Sequence, residues 1–508
     1  MGIKKTWTVQ YNRDSGLWAE IAEPATLAGL HAFLDPILDH CDTYLLDPGA
    51  LVQYWPSAVR EMFGLDAERW QRFDDSSDPG IHGGMPVRER QRRNLLAIHA
   101  STGNPVAAVL DRCRERGVRC GLSYRMNDKH SSELGDHPSQ TRWRREHLDT
   151  CFFDQYTHDA GTVRSLNFAV PAVREECLRL LQEYCDVFRM DVLDLDFMRR
   201  PPYFPDDIPR QEQFRCMNEL VREVRRATAQ AGIALQMRLP PTVELCESNG
   251  LDIRTWASEG WVDAVSVSPG FYMEFDLPLA DYRAVFGDRS IALYAGCEKR
   301  LAFAGDMRSR PVTREMYRSA FMHYYRRGIA DGMYFFNLYG NPAVAEPDVL
   351  REARDPESVF NRDKTWLLPP RSERRANEGH VRALPLPADV PAAAQEGLTV
   401  PMTIAEDLAA RPACVIRLGL RFQAIDRERL RNLRVEINGR PLETPLGLET
   451  RECNTMARQP ATPVIREAWA VCDLAPEFLK DGDNCFRLRD GADTRLPPLR
   501  LLMIEVNM

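Results

Sequence analysis

The sequence has no pair of cysteines spaced as CxxC, although it carries thirteen of them. Their spacing is irregular, and Cys120, Cys177 and Cys297 lie inside apolar runs. That pattern fits reduced, buried thiols better than a disulfide framework or a zinc knot. There is no GxGxxG and no Walker loop, so the phosphate turn expected of a doubly wound nucleotide-binding sheet is missing. No run approaches 18 apolar residues, so no membrane span is expected. The opening "MGIKKTWTVQYNRDSG" has no apolar h-region of a secretory signal, and a cytoplasmic location is expected. Positive charge is not in excess: the formal net charge is −8. No global field therefore favours nucleic acid or an anionic membrane. No repeat of 20–50 residues is visible.

What is present is alternation. Strand-like runs occur at "TWTVQYN" (6–12), "DTYLLDP" (42–48), "VRCGLSYRMND" (118–128), "MDVLDLDFM" (190–198), "IALQMRLPP" (233–241), "VDAVSVSPG" (262–270), "SIALYAGCE" (290–298) and "GMYFFNLYG" (332–340). Helical patterns lie between them, as in "NPVAAVLDRCRERG", "VPAVREECLRLLQEYC", "QFRCMNELVREVRRATAQAG" and "TREMYRSAFMHYYRRG". Three of these four close on glycine, as a helix C-cap does. Strands separated by helices predict parallel βαβ units, and eight strands predict a (β/α)8 TIM barrel.

The texture changes near residue 355. A stretch rich in Pro, Ala and charge follows, then short alternating runs broken by turns such as Asn438-Gly439 and "KDGDN". The expected organisation is a barrel over 1–355, a linker over 356–384 and a C-terminal β-sandwich over 385–508. The sandwich is expected to serve as a packing partner.

"RMDVLDLDFMRRPPYF" (189–204) carries carboxylates inside an apolar strand. Successive strand residues point to opposite faces, so Asp194 and Asp196 share one face, and Leu193, Leu195 and Phe197 the other. A barrel gives the polar face a place, the lumen that opens onto the C-terminal mouth. By the same parity Glu298 ends the seventh strand, across the barrel from Asp196. Two carboxyls flanking one ligand are what glycoside cleavage needs: one protonates the leaving oxygen, the other attacks or activates water. Asp196 is the expected acid/base and Glu298 the expected nucleophile or base. Asp194, one layer deeper, is expected to raise the proton affinity of Asp196, with Arg199 and Arg238 nearer Glu298 or the substrate than Asp196.

Other residues expected at the mouth, and so against substrate, are Asn12, Asp47, Asn127, Asp128, His130, Asn337, Trp55, Tyr203, Tyr272 and Tyr339. Amides and carboxylates bond sugar hydroxyls in pairs, and aromatic rings stack on sugar faces. No metal ligands and no cofactor are expected, since the barrel strands contain no His. The expected partner is a carbohydrate substrate, with no nucleic acid and no membrane, and with room for a homo-oligomer. The competing readings are a non-catalytic carbohydrate-binding barrel and a metal-dependent barrel isomerase or hydrolase.

"LNFAVPAVREECLRLLQEYCDVFRMDVLDLDFMRRPPYF" resembles the glycosyl hydrolase-like family 10 proteins and related barrel glycosidases. Pro171, Val173 and Arg174 match the family's P-x-V-R helix start, and Asp196 its strand-ending acid, while Val192 replaces the usual glycine. "DGMYFFN" (331–337) resembles the last barrel strand of that group. The likeness spans roughly residues 1 to 350 and implies a (β/α)8 barrel acting on carbohydrate. Related retaining enzymes with carboxylates on strands four and seven commonly use Glu at both, a pattern from which Asp196 departs.

Overall fold

The structure is a computed structural model. It describes residues 7–49, 51–72, 84–129, 137–138, 140–157, 161–302, 309–371, 384–391, 396–411, 414–453, 465–491 and 497–508. Eight parallel strands close into a barrel: β1 (Thr8–Arg13), β2 (Thr43–Leu46), β3 (Arg119–Arg125), β4 (Val192–Asp196), β5 (Ala234–Leu239), β6 (Ala264–Val267), β7 (Ala292–Cys297) and β8 (Gly332–Phe336). Each strand pairs with its neighbours in sequence, and β8 returns to β1 in the register Thr8↔Gly332 to Asn12↔Phe336. All eight coincide with runs singled out in the sequence.

The helices form for the expected reasons. Pro105–Glu115 is capped by the Asn104 side chain, which accepts from the Ala107 N–H. Arg210–Ala231 and Arg314–Arg327 end on Gly232 and Gly328, both in the left-handed conformation that favours glycine. Pro171–Val187 starts with proline at its first turn, where a missing N–H costs nothing. Their apolar faces cover the outer faces of the strands: Leu193 and Leu195 of β4, Leu235 and Met237 of β5 and Leu122 of β3 are fully buried. Each such side chain contributes on the order of 2 kcal/mol of burial.

The second half is a β-sandwich. One sheet runs Thr365–Leu368, Leu499–Asn507, Ile416–Phe422, Ile465–Leu474, Gly447–Cys453, with Ala388–Val390 also on Leu499–Asn507. The other runs Leu398–Ile404, Gly482–Asp490, Leu433–Ile437, Arg440–Pro441. The Asn438-Gly439 pair makes the last hairpin, with positive φ at both residues (54° and 78°), as a two-residue turn of this hand requires. Val400, Leu418, Leu420, Phe486, Leu488 and Ile504 fill the space between the sheets. The stretch 356–384, expected as a linker, departs from that reading in one respect: Thr365–Leu368 is a strand of the larger sheet. The sandwich also joins the barrel's core, since Leu367, Trp469, Val471 and Met503 belong to the same apolar cluster as the barrel helices.

Candidate functional site

A cavity of about 400 Å³ opens at the C-terminal end of the barrel. Its walls come from residues just past the strand ends: Asp14 after β1, Asp47 after β2, Asp128 after β3, Arg199 after β4, Lys299 and Arg300 after β7, and Tyr339 after β8. Chain geometry alone brings them together, because parallel strands all deliver their following residues to one rim.

Arg125, the last residue of β3, organises this rim. One terminal nitrogen lies 3.2 Å from Asp14, the other 3.2 Å from Asp128, and Nε lies 3.1 Å from Asp47. The three carboxylates differ in how well they are served. Asp14 also accepts from the Tyr339 hydroxyl (2.7 Å), the Asn337 amide (2.8 Å) and the Gly16 N–H (2.9 Å). Burial alone would push its proton affinity up, but Arg125, Tyr339 and Gly16 outweigh that and hold it well below the usual carboxylate range. Asp47 has one aligned donor, the Gly49 N–H at 2.9 Å, and the Arg125 Nε beside it forms no aligned hydrogen bond. Burial therefore prevails over Arg125 and Gly49, and the Asp47 carboxyl is pushed up to about 6.

Beneath the rim lies a second cluster. Arg238 of β5 places one terminal nitrogen 3.1–3.2 Å from both oxygens of Asp196 and the other 2.7 Å from Glu298. Its Nε donates to Ser268 Oγ (2.8 Å), and its guanidinium lies 3.7 Å from the centre of the Phe336 ring. Asp196 also accepts from the Met198 N–H at 2.9 Å. Strand register explains the clamp, since Asp196 and Arg238 are paired residues of β4 and β5. Arg238 thus lies nearer Glu298 than Asp196 but grips both carboxyls, and neither Asp196 (0% exposed) nor Glu298 (4%) lines the cavity. Burial raises the Glu298 carboxyl, against the pull of Arg238.

One layer deeper, Asp194 accepts from Ser123 Oγ (2.7 Å), Gln236 (3.2 Å) and the Tyr334 hydroxyl (3.3 Å). Burial dominates and pushes its carboxyl up to about 7. The folded protein thus keeps a proton that the unfolded chain, titrating near the ordinary carboxylate value of about 4, releases. The stability contributed by that proton is fully present below about pH 4 and is lost as pH rises towards about 7. Asp194→Asn is expected to flatten this slope. Urea midpoints of wild type and variant at pH 5 and pH 8 check it, and equal slopes in the two proteins would remove Asp194 as the source.

The remaining expected site residues divide clearly. Asp47, Asp128, Arg199 and Tyr339 line the cavity, and Asn337 braces Asp14 from below. Asn12 donates to the Tyr334 hydroxyl (2.6 Å) inside the barrel. Asn127 ties two loops together through Leu166 N–H and the Pro202 carbonyl, so it shapes the rim and does not face the cavity. Trp55 and Tyr203, expected as sugar platforms, are core residues: Trp55 packs edge-on to Phe188, and Tyr203 packs on Phe168 and Phe197 with its hydroxyl on the Phe197 carbonyl. Tyr272 is half-buried and stands off the cavity wall. His130 lies outside the described residues. Sequence reasoning missed Asp14, Lys299 and Arg300, and Arg125 was not among the residues expected against substrate. The signal available for the first three was position alone, one to three residues past a strand end.

Among the described residues no group of three or more His, Cys, Asp or Glu is arranged to hold a metal ion. No helix of the described residues is long and apolar enough to cross a membrane.

No family model and no curated protein matches this chain. Solved structures similar in fold include α-L-fucosidase isoenzyme 2 from Paenibacillus thiaminolyticus, at 11% identity over 71% of this chain and 51% of that one, TM-score 0.42. The PgaB (BpsB) glycoside hydrolase domain from Bordetella bronchiseptica is similar at 11% identity over 70% and 97%, TM-score 0.42. The α-galactosidase TtGalA from Thermus thermophilus is similar at 14% identity over 73% and 65%, TM-score 0.35. This chain thus spans about half of the fucosidase and under two thirds of the galactosidase. Residue roles rest on this chain's own geometry.

Proposed function

We propose that the chain is a glycoside hydrolase working at the C-terminal mouth of its barrel. The observation that carries this reading is a pair of carboxyls on one cavity whose environments drive them apart: Asp47 pushed up to about 6 and Asp14 held ionised by its donors. Such a split is how one site keeps an acid and a base at the same pH. Asp47 supplies the proton to the leaving oxygen, and Asp14 is the ionised partner that steadies the developing positive charge or activates water. Arg125 holds both in place. The deeper pair, Asp196 and Glu298, is assigned to fixing Arg238 under the cavity floor, which moves the acid/base role away from the residues first expected to hold it.

The test is a panel of aryl glycosides and oligosaccharides, with the anomeric form of each product followed by NMR. Turnover of at least one substrate with a single, defined anomeric product is expected. Binding across the panel without turnover of any member would replace this reading with a carbohydrate-binding barrel.

A further inference from the structure

The cavity wall carries more positive charge than its own carboxylates can answer. Arg90, Arg125, Arg199, Lys299 and Arg300 line it, against Asp14, Glu20, Asp47 and Asp128. Those carboxylates are already engaged. Asp14, Asp47 and Asp128 surround Arg125, and Glu20 lies 2.8 Å from Arg13. Arg199, Lys299 and Arg300 make no ion pair with any described carboxylate.

Their surroundings hold these three without neutralising them. Arg199 is 7% exposed, with its guanidinium 5.1 Å from the Phe271 ring centre and 5.9 Å from that of Phe336. Its Nε is buried and has no hydrogen-bond partner. The Lys299 ammonium lies 4.2 Å from the Tyr339 ring centre and donates to the Tyr339 carbonyl. Arg300 begins the short hairpin Arg300–Ala302 with Ser309–Pro311, and its Nε is also buried without a partner. Aromatic faces attract cations but leave the net charge in place. Burial, and then neighbouring cations, lower Arg199 to about 9 and Lys299 to about 8, outweighing the nearby Asp128 and Asp196 for the first and Asp14 and Glu298 for the second. A buried cation without an anion is costly, and the cost is removed when a ligand brings the missing charge.

We infer that the cavity takes a sugar bearing an oxyanion, and that Arg199, Lys299 and Arg300 receive it. This rests on the glycosidase reading for the sugar and adds the charge. Carboxylate, sulfate and phosphate esters share the chemistry that such a cluster recognises: several acceptor oxygens around one negative centre, met by N–H donors. A neutral sugar would leave these three cations without an ion-pair partner and is expected to bind poorly. Arg125 is excluded from the role, because its charge is already answered by Asp14, Asp47 and Asp128.

The test is calorimetric titration of the full chain with matched pairs: D-glucuronate against D-glucose, D-galacturonate against D-galactose, and glucose 6-sulfate and glucose 6-phosphate against glucose. At least one acidic member is expected to bind ten-fold or more tightly than its neutral parent, and which acid prevails tells carboxylate from ester. In Lys299→Gln and Arg300→Gln, each half-buried and so tolerant of change, the preference is expected to fall several-fold. Arg199→Lys, which keeps a charge but loses the planar fork, should weaken it less than Arg199→Gln. Equal or tighter binding of the neutral parents, absence of binding by every acidic member, or a preference unchanged in both Lys299→Gln and Arg300→Gln overturns the inference. Hydrolysis of neutral aryl glycosides alongside such a result would leave the hydrolase reading intact. Preference for acidic sugars with no hydrolysis of any substrate would do the reverse.

Discussion

Asp47→Asn is expected to lower turnover of substrates with poor leaving groups by roughly 10²- to 10⁴-fold, the contribution of a positioned general acid. The sign of the pH dependence follows from the same residue. The acid works only while protonated, and its carboxyl sits at about 6, so wild-type activity should decline as pH rises through that value. In Asp47→Asn the decline should disappear along with most of the rate. Substrates with activated aryl leaving groups need little protonation and should be spared in large part. Asp14→Asn, which removes the ionised partner, should be severe with both kinds of leaving group. The measurement is kcat/KM against pH for a pair of substrates differing only in the leaving group. If both variants keep wild-type rates while Asp196→Asn and Glu298→Gln are inactive, the chemistry belongs to the deeper pair.

The second large effect is on stability. Arg238→Met leaves Asp196 and Glu298 buried beside each other with no cation between them. Breaking a buried charge cluster from one side costs about 3–5 kcal/mol. The variant should melt well below wild type. Arg238→Met combined with Asp196→Asn and Glu298→Gln should recover much of the loss, because the uncompensated charges go with their partner. Thermal melts of wild type, Arg238→Met and the triple variant check this. A single Arg238→Met that melts with wild type would show that the cluster contributes nothing to holding the barrel mouth.

The barrel was legible because its evidence is local. Period-two alternation in β4 separates Asp194 and Asp196 from Leu193 and Leu195, and the structure places the two sets on the lumen and helix sides as that parity requires. Glycine after the helical runs and Asn-Gly in a hairpin are likewise local signals. The site was legible only in outline, because it depends on register between strands distant in sequence. Nothing near Asp196 shows that Arg238, 42 residues on, is its paired neighbour. Nor does the sequence show that three carboxylates from three different loops converge on Arg125, which decides that Asp14 is the well-bonded one. Loop aromatics misled for a related reason. Tyr203 reads as a platform, yet its hydroxyl is satisfied by a nearby backbone carbonyl and its ring is locked between Phe168 and Phe197.

The shared apolar cluster between the two halves has an engineering consequence. Leu367, Trp469, Val471 and Met503 come from the sandwich but are buried with the barrel's own side chains. Ser319, on helix Arg314–Arg327, donates to the carbonyl of Thr365 across the same seam. Arg310, from the hairpin next to the mouth, lies 3.7 Å from Glu467 and Glu505 of the sandwich. A graft of this barrel onto another carrier, or a trimmed enzyme made by stopping the gene after the eighth strand, would expose a torn interior and not a finished surface. The usable unit for transplantation or shuffling is the whole chain, with the cut points outside both halves.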